Sequence, residues 1–383
     1  MGMVKEMLKK AISIFPLLNT VLLESNPDMS DNTYYLYKRM VQREFNKKYR
    51  FIWLVQDKRR FSDISVKNVY FRNWNPQNIF EKINKLWILY TSKYIIVCNK
   101  YIEKRRKEQV VAALGHGTIL KAVKQYTMIG GDCDFTLCPS EYFIPIYCDQ
   151  LKLKKEQLLL SGYPRNDMLF EKGKLNKLFP YYTGKSYIIW MPTFRKQKNS
   201  RRIDSSFYFP LGLPILYSKE HMERVNHVLI ECNTVLLLKL HPAQDTDVIR
   251  ASSLSNIILI DESMINKNGV MLYELLRDTA ALITDYSSIY YDYLLLNKPI
   301  GITLDDLDEY TQVNGFPFKN PLDMLKGEYI YDVEDMLGFI RNVSLGNDTK
   351  ADEREKINTL ANKYCQGGYS DFIIDYLVSH KGF

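Results

Sequence analysis

Ala281-Leu282-Ile283-Thr284-Asp285-Tyr286-Ser287-Ser288, running into the apolar-periodic stretch Ile289 to Leu296, reads as strand, hydroxyl-rich turn and helix in succession. One short apolar run does not fix a fold, but the same succession recurs. Val235-Leu236-Leu237-Leu238-Lys239-Leu240-His241-Pro242 is an apolar strand stopped by proline, and Tyr187 to Met191, Ile257 to Ile260 and Pro299 to Ile302 are further strand candidates. Toward the N-terminus the pattern repeats with Phe51 to Val55, Val66 to Phe71, Tyr94 to Cys98 and Val110 to Leu114. Helical segments such as Thr33 to Phe45 and Pro76 to Tyr90 lie between them. Alternating strands and helices imply parallel sheets with right-handed crossovers, hence an α/β fold in two halves. The expected division is residues 1–165 and 166–383, with turn-rich Gly162-Tyr163-Pro164-Arg165-Asn166-Asp167 approaching the linker.

The 383 residues, 46% apolar, are enough for two packed cores and argue against disorder of the whole chain. A formal charge of +8 makes anionic partners plausible without choosing between lipid headgroups, nucleotides and nucleic acid. The six cysteines are too few and too irregular for a disulfide framework, and no Cys or His spacing fits a zinc site. The 28 tyrosines are scattered, unlike a base-stacking platform.

Val4, Leu8, Ala11, Ile12, Phe15, Leu18 and Leu22 recur at helical spacing, giving an N-terminal amphipathic helix edged by Lys9 and Lys10. The uncharged run Ala11 to Leu23 is shorter than the about 20 residues that span a bilayer. Two readings stay open: a helix resting on a membrane surface, or a core helix kinked at Pro16.

Four constellations could carry chemistry. Val110 to Leu114 runs into Gly115-His116-Gly117-Thr118, with Lys121 one turn on, so an imidazole suited to proton removal sits at a strand end between flexible glycines. Its structural alternative is a histidine capping a turn. Lys239 and His241 share a strand face by the two-residue period and could serve a phosphate, unless His241 is merely satisfied by nearby backbone. Ser287 or Ser288 at a helix start could hold an anion, and Asp292, four residues beyond Ser288, could bind ribose hydroxyls. A cap that binds nothing is equally ordinary. Ile188 to Arg195 ends in Pro192-Thr193-Phe194-Arg195, whose arginine can fork onto phosphate or sit on the surface.

Taken in order, His116-Gly117-Thr118, Pro164-Arg165-Asn166-Asp167, Pro192-Thr193-Phe194-Arg195, His241-Pro242 and Asp285-Tyr286-Ser287-Ser288, extended by Asn297-Lys298-Pro299-Ile300, resemble the CDP-glycerol glycerophosphotransferase family of teichoic acid and capsule synthesis. The resemblance is good from about Val110 to Leu304 and looser at the flanks. It implies a GT-B fold, two Rossmann-like domains facing across a cleft, with acceptor and membrane contacts on the first and CDP-polyol on the second. It also implies that His116 is the general base and that two imidazoles converge on one diphosphate. Charge on the phosphoryl oxygens would be met by His241, Ser287 and Ser288, with Arg195 and Lys239 assisting. Thr193, Asp285 and Asp292 complete the implied donor side; Gly117, Thr118 and Lys121 form the implied acceptor side.

The implied partners are a lipid-linked prenyl-diphosphate glycan acceptor and the cytoplasmic face of the cell membrane, approached peripherally, with no nucleic acid. No metal or cofactor is called for beyond the CDP-polyol donor. Departures from the family pattern are Gly115 and Ile119 around the first histidine, Lys239 for a frequent arginine, and Asn314-Gly315 for an arginine-glycine pair. A primase or one-unit-per-cycle transferase is expected rather than a processive polymerase, because the long N-terminal extension of polymerising members is absent. The rivals are a GT-B nucleotide-sugar glycosyltransferase or epimerase, since the fold alone hosts those reactions, and a non-catalytic binding protein.

Overall fold

The computed structural model describes residues 2–123, 133–193, 209–240 and 254–383. The chain forms two compact units that do not follow a single cut. The first comprises residues 1–116, 124–167 and 366–383, and the second 117–123 and 168–365.

The first unit is built on seven strands: β1 (Leu18–Glu24), β2 (Arg50–Val55), β3 (Val69–Asn73), β4 (Ser92–Val97), β5 (Val110–Ala113), β6 (Phe135–Cys138) and β7 (Leu158–Leu160). They lie in the order β3-β2-β1-β4-β5-β6-β7, every pair parallel. A parallel sheet covered on both faces needs strands that are apolar throughout rather than alternating. Val21-Leu22-Leu23 and Phe51-Ile52-Trp53-Leu54-Val55 meet that requirement, and all eight side chains are buried.

The N-terminal pattern divides differently from the sequence expectation. The first helix spans Gly2–Ser13, and Leu18 and Leu22 belong to β1, the strand at which the order reverses. Pro16 breaks the helical ladder, and Thr20 and Val21 are β-branched residues that favour a pleated strand. Their spacing fits both periods, and pairing with β2 and β4 on either side decides for the strand.

The C-terminal helix, Tyr369–Lys381, packs on the helix Asp31–Gln42, which explains why residues 366–383 join the first unit. Arg39 meets Asp371 at 2.6 Å, Arg43 meets Asp375 at 2.8 Å, and the terminal Phe383 ring stacks on Tyr49 at 4.3 Å. The Asp167 carboxylate accepts the backbone N–H groups of Tyr369 and Ser370 at 2.8 and 3.0 Å, closing the first turn. The Arg39 hydrogen bonds hold the Asp371 carboxyl below its ordinary value. A depressed carboxylate contributes stability above its unfolded value and loses it as pH falls through the folded one. Amide protection in Tyr369–Lys381, taken relative to intrinsic exchange, should therefore hold at neutral pH and fall only in acid, and Asp371→Asn should weaken that acid dependence.

The second unit carries β8 (Ser186–Met191), β9 (Thr234–Lys239), β10 (Ile257–Ile260), β11 (Ala281–Thr284), β12 (Ile300–Thr303) and β13 (Glu328–Ile330), in the order β10-β9-β8-β11-β12-β13 and again all parallel. Trp190, Leu236, Leu238 and Ile283 form its core with Val225 and Leu229 of the helix Lys219–Glu231 and Met336 and Ile340 of the helix Val333–Ser344. Just before β13 the backbone passes so near β12 that a Cβ on Gly327 would sit 2.4 Å from the Ile300 carbonyl oxygen. Backbone cannot swing aside, so Gly327→Ala should cost roughly 1–3 kcal/mol in chemical denaturation, the usual range for overpacking.

Both sheets run outward in two directions from one central strand, β1 in the first unit and β8 in the second. The strand order therefore reverses between β1 and β4 and between β8 and β11, and the carboxyl edge at such a reversal is where open α/β sheets bind ligands.

Candidate active site

In the first unit, β5 ends at Ala113, and Leu114 leads into the turn Gly115-His116-Gly117. Gly115 has φ +65° and Gly117 φ +132°, left-handed backbone that side chains resist. These two glycines let the chain turn sharply and leave His116 exposed at the carboxyl edge of the sheet. The turn is held from beneath. The Gly115 carbonyl accepts from Asn32 Nδ2 at 2.8 Å and from Cys98 Sγ at 2.9 Å, while the His116 carbonyl accepts from Arg165 Nη1 at 2.9 Å. Arg165 Nη1 also donates to Asp31 Oδ1 at 2.9 Å, and the Arg165 backbone N–H donates to Asn32 Oδ1 at 3.2 Å. Burial pushes the Cys98 thiol well above its ordinary value, so it is present as the S–H donor.

Pro164-Arg165-Asn166-Asp167 thus does more than approach a linker. Its arginine reaches the His116 turn, and its aspartate caps the C-terminal helix. Asp167→Ala should free that helix's first turn, cost about 1–2 kcal/mol in chemical denaturation, the upper range for a lost cap, and speed exchange at Tyr369 and Ser370 first.

Of the residues expected on the acceptor side, Gly117, Thr118 and Lys121 fall in residues 117–123, which cluster with the second unit. The Ala122 N–H donates to the Gly315 carbonyl at 3.1 Å, and the Lys121 ammonium stands 5.9 Å from the Tyr310 ring centroid. Thr118 is buried, and its hydroxyl has no partner among the described residues.

In the second unit, Thr193, Lys239, Asp285, Ser287 and Ser288 lie at the carboxyl ends of the neighbouring strands β8, β9 and β11, around the β8/β11 reversal. Asp285 is fully buried and accepts the Thr193 N–H at 2.8 Å and the Thr193 hydroxyl at 2.5 Å, so it fixes Thr193 just beyond the end of β8. Tyr286 is also buried; its hydroxyl donates to Asp306 at 3.1 Å and its ring lies 4.3 Å from that of Tyr310. With those two anchored inward, half-buried Ser287 and Ser288 are carried at the edge. Ser288 precedes a helix of six residues, Ile289–Leu294, and makes no side-chain cap bond. The cap expected at this position is therefore absent, because Ser288 has itself taken αR backbone angles, φ −61° and ψ −16°, where its hydroxyl does not reach the next turn.

Asp292 departs from its expected place. It is 1% exposed, and its carboxylate accepts the Tyr273 hydroxyl at 2.6 Å, so it points into the unit rather than toward a ribose. Four-residue spacing put Asp292 on the same helix face as Ser288 but could not say that this face is packed. His241, together with Pro242 and Arg195, lies outside the described residues. Lys298, in the Asn297-Lys298-Pro299-Ile300 stretch, donates to the Arg277 and Thr279 carbonyls, both at 2.7 Å, and thereby braces the chain entering β11.

The ordered motifs and the paired reversal-point sheets invite comparison with known proteins. A family model described as CDP-Glycerol:Poly(glycerophosphate) glycerophosphotransferase matches residues 10–379. The chain belongs to this family. The teichoic acid glycerol-phosphate primase of Bacillus subtilis is 25% identical over 324 residues, covering 79% of this chain and 77% of that protein. The teichoic acid ribitol-phosphate polymerase TarL of Staphylococcus aureus is 24% identical over 324 residues, which is 78% of this chain but only 52% of TarL. The chain thus matches about half the length of TarL and about three quarters of the primase.

Among solved structures, the wall teichoic acid polymerase TagF superposes with a TM-score of 0.74 at 19% identity, covering 98% of this chain and 93% of that one. A UDP-GlcNAc 2-epimerase from Neisseria meningitidis aligns with a TM-score of 0.54 at 13% identity, over 96% of this chain and 100% of that one. At those identities the likeness speaks of fold: this glycerophosphotransferase-family chain has two Rossmann-like α/β domains of the GT-B kind. The fold is shared with sugar-nucleotide epimerases, so the chemistry must come from the site.

What sequence reasoning missed in this family member is the support beneath His116. Asn32, Cys98 and Arg165 come from the helix Asp31–Gln42, the end of β4 and the segment after β7, 83, 17 and 49 residues from the carbonyls they hold. The one available signal was Arg165 inside a motif that also carried the family resemblance.

Proposed function

We propose that this chain transfers glycerol phosphate, or a related polyol phosphate such as ribitol phosphate, from a CDP-linked donor to a hydroxyl of a lipid-linked teichoic acid or capsular precursor, releasing CMP. The acceptor oxygen attacks the phosphorus that carries the polyol, a new P–O bond forms, and the bond to the bridging oxygen breaks with its electron pair leaving on CMP. His116 takes the acceptor proton. His241, Ser287 and Ser288 meet the charge that builds on the phosphoryl oxygens, helped by Lys239 and Arg195. Asp285 acts one step back by holding Thr193. No metal is needed in this scheme, because hydrogen-bond donors and cations supply the electrostatic stabilisation.

The observation that carries the reading is an exposed imidazole at the carboxyl edge of a parallel sheet, on a glycine turn fixed by buried side chains, in a chain of this family. Ribitol stays beside glycerol because relatives of both kinds align at similar identity.

The acceptor is assigned as a prenyl-diphosphate glycan, reached from the cytoplasmic face of the membrane by peripheral contact. Exposed apolar side chains support that contact: Met7, Ile14 and Phe15 near the first helix, and Ile79, Phe80 and Ile83 on the helix Ile79–Thr91, with Lys9 and Lys10 nearby. No helix among the described residues is long and apolar enough to cross a membrane. Vesicles containing anionic lipid should therefore retain the wild-type protein and release Phe80→Glu, whereas equal retention of both would remove Phe80 from the contact.

The reaction is tested by incubating the protein with a panel of prenyl-diphosphate glycans and either CDP-glycerol, CDP-ribitol or UDP-sugars. Mass spectrometry should show the acceptor heavier by polyol-phosphate units with CMP as co-product. Release of UDP alone would instead support a nucleotide-sugar enzyme. The mass gained also separates a primase, which adds a single unit, from a polymerase.

A further inference from the structure

A histidine between two glycines has a freely turning backbone, and a general base on such a turn would sample many positions around the acceptor hydroxyl. Here the Gly115 and His116 carbonyls are both occupied by buried donors. Asn32, 0% exposed, holds Gly115 at 2.8 Å, and Arg165, 6% exposed, holds His116 at 2.9 Å. The two donors are themselves coupled: the Arg165 N–H donates to Asn32 Oδ1 at 3.2 Å, and Arg165 Nη1 and the Asn32 N–H both donate to Asp31 Oδ1, at 2.9 and 2.8 Å.

We infer that Asn32, Asp31 and Arg165 are positioning residues for His116: a clamp of two buried side chains and a half-buried carboxylate that fixes the backbone of a glycine turn so that one imidazole meets one hydroxyl. Resting on the transferase reading above, the clamp acts on the chemical step through His116 and makes no contact with substrate. Buried, mutually bonded side chains have already lost their rotamer freedom, so they hold the turn without further ordering cost when substrate arrives. Misplacing a reacting group by about 1 Å can cost on the order of 10²-fold in rate. Asp31 matters because it orients the guanidinium; a side chain at 165 that kept only positive charge would satisfy Asp31 but lose the geometry that also reaches the His116 carbonyl.

The discriminating variants are Arg165→Lys, which keeps a cation beside Asp31, and Asn32→Ala, which removes the Gly115 donor. Each is expected to lower kcat about 10- to 100-fold, with KM for CDP-glycerol unchanged within about two-fold. In a His116→Ala background neither should cost anything more, since the group they position is gone. A merely structural residue would slow the double variant by the same factor as the single one, and that result would overturn the proposal.

A second readout does not depend on turnover. Among the five histidines, the His116 ring resonance can be assigned by its loss in His116→Ala. Arg165→Lys should shift that resonance and leave the His221, His227 and His380 signals in place. An unmoved His116 signal in a folded Arg165→Lys protein sinks the clamp even if transfer proceeds normally. Absence of CMP release by the wild-type protein, with the resonance shift present, would instead count against the transferase reading alone.

Discussion

His116→Ala should lower CMP release by roughly 10²–10⁴-fold, the range typical for loss of a positioned general base, while the chemical denaturation midpoint stays close to wild type. The imidazole is exposed, and the bond to Arg165 runs from the His116 carbonyl, which alanine retains. Gly115 and Gly117 continue to supply the left-handed backbone. The substitution therefore removes the proposed proton acceptor and leaves its support standing. Binding of the CDP-linked donor should change little, so the loss belongs in kcat, and donor affinity by calorimetry separates this outcome from a collapsed site.

Asp285→Ala makes the opposite kind of change, losing both stability and activity. The Asp285 side chain is wholly buried and takes the N–H and the hydroxyl of Thr193 on the neighbouring strand end. Removing it strands two buried donors, each worth about 1–3 kcal/mol when left unsatisfied. A fall of roughly 2–5 kcal/mol in unfolding free energy is expected, together with weakened donor binding as Thr193 loses its tether. Asp285→Asn keeps one acceptor oxygen and should fall between wild type and alanine. Full stability of Asp285→Ala would show that the tether carries no weight.

Legibility in the sequence followed the physics of each element. Ile257–Ile260 and Ala281–Thr284 were legible to the residue because each is a short apolar run closed by polar turn residues. β1 was not, since Leu18 and Leu22 satisfy a helical period and only pairing with β2 and β4 selects the strand. Leu158–Leu160 and Glu328–Ile330 are three-residue strands, too short for any periodicity to register, and Phe135–Cys138 carries a polar residue, Thr136, inside its apolar run.

The candidate site divides in the same way. A glycine-flanked histidine after an apolar strand is a local pattern, and the structure puts His116 at the strand end where that pattern implies. Whether a side chain faces ligand or core is a tertiary fact. That is why Asp292 was read outward when Tyr273 holds it inside, and why Tyr286 turned out to brace the Asp-Tyr-Ser-Ser turn through Asp306. The clamp on His116 joins residues far apart in sequence, and no spacing rule reaches across such gaps.

In the proposed mechanism His116 takes the acceptor's proton as the polyol phosphate moves. A single-turnover experiment, with enzyme in excess over a radiolabelled CDP-polyol and a lipid-linked acceptor, follows CMP formation as pH is varied. The wild type should release one CMP per polyol phosphate joined to acceptor, at a rate that falls at acid pH; His116→Ala should be slow and lack that acid limb. A His116→Ala protein that makes CMP as fast as wild type, with the same pH profile, would show that His116 is not the base.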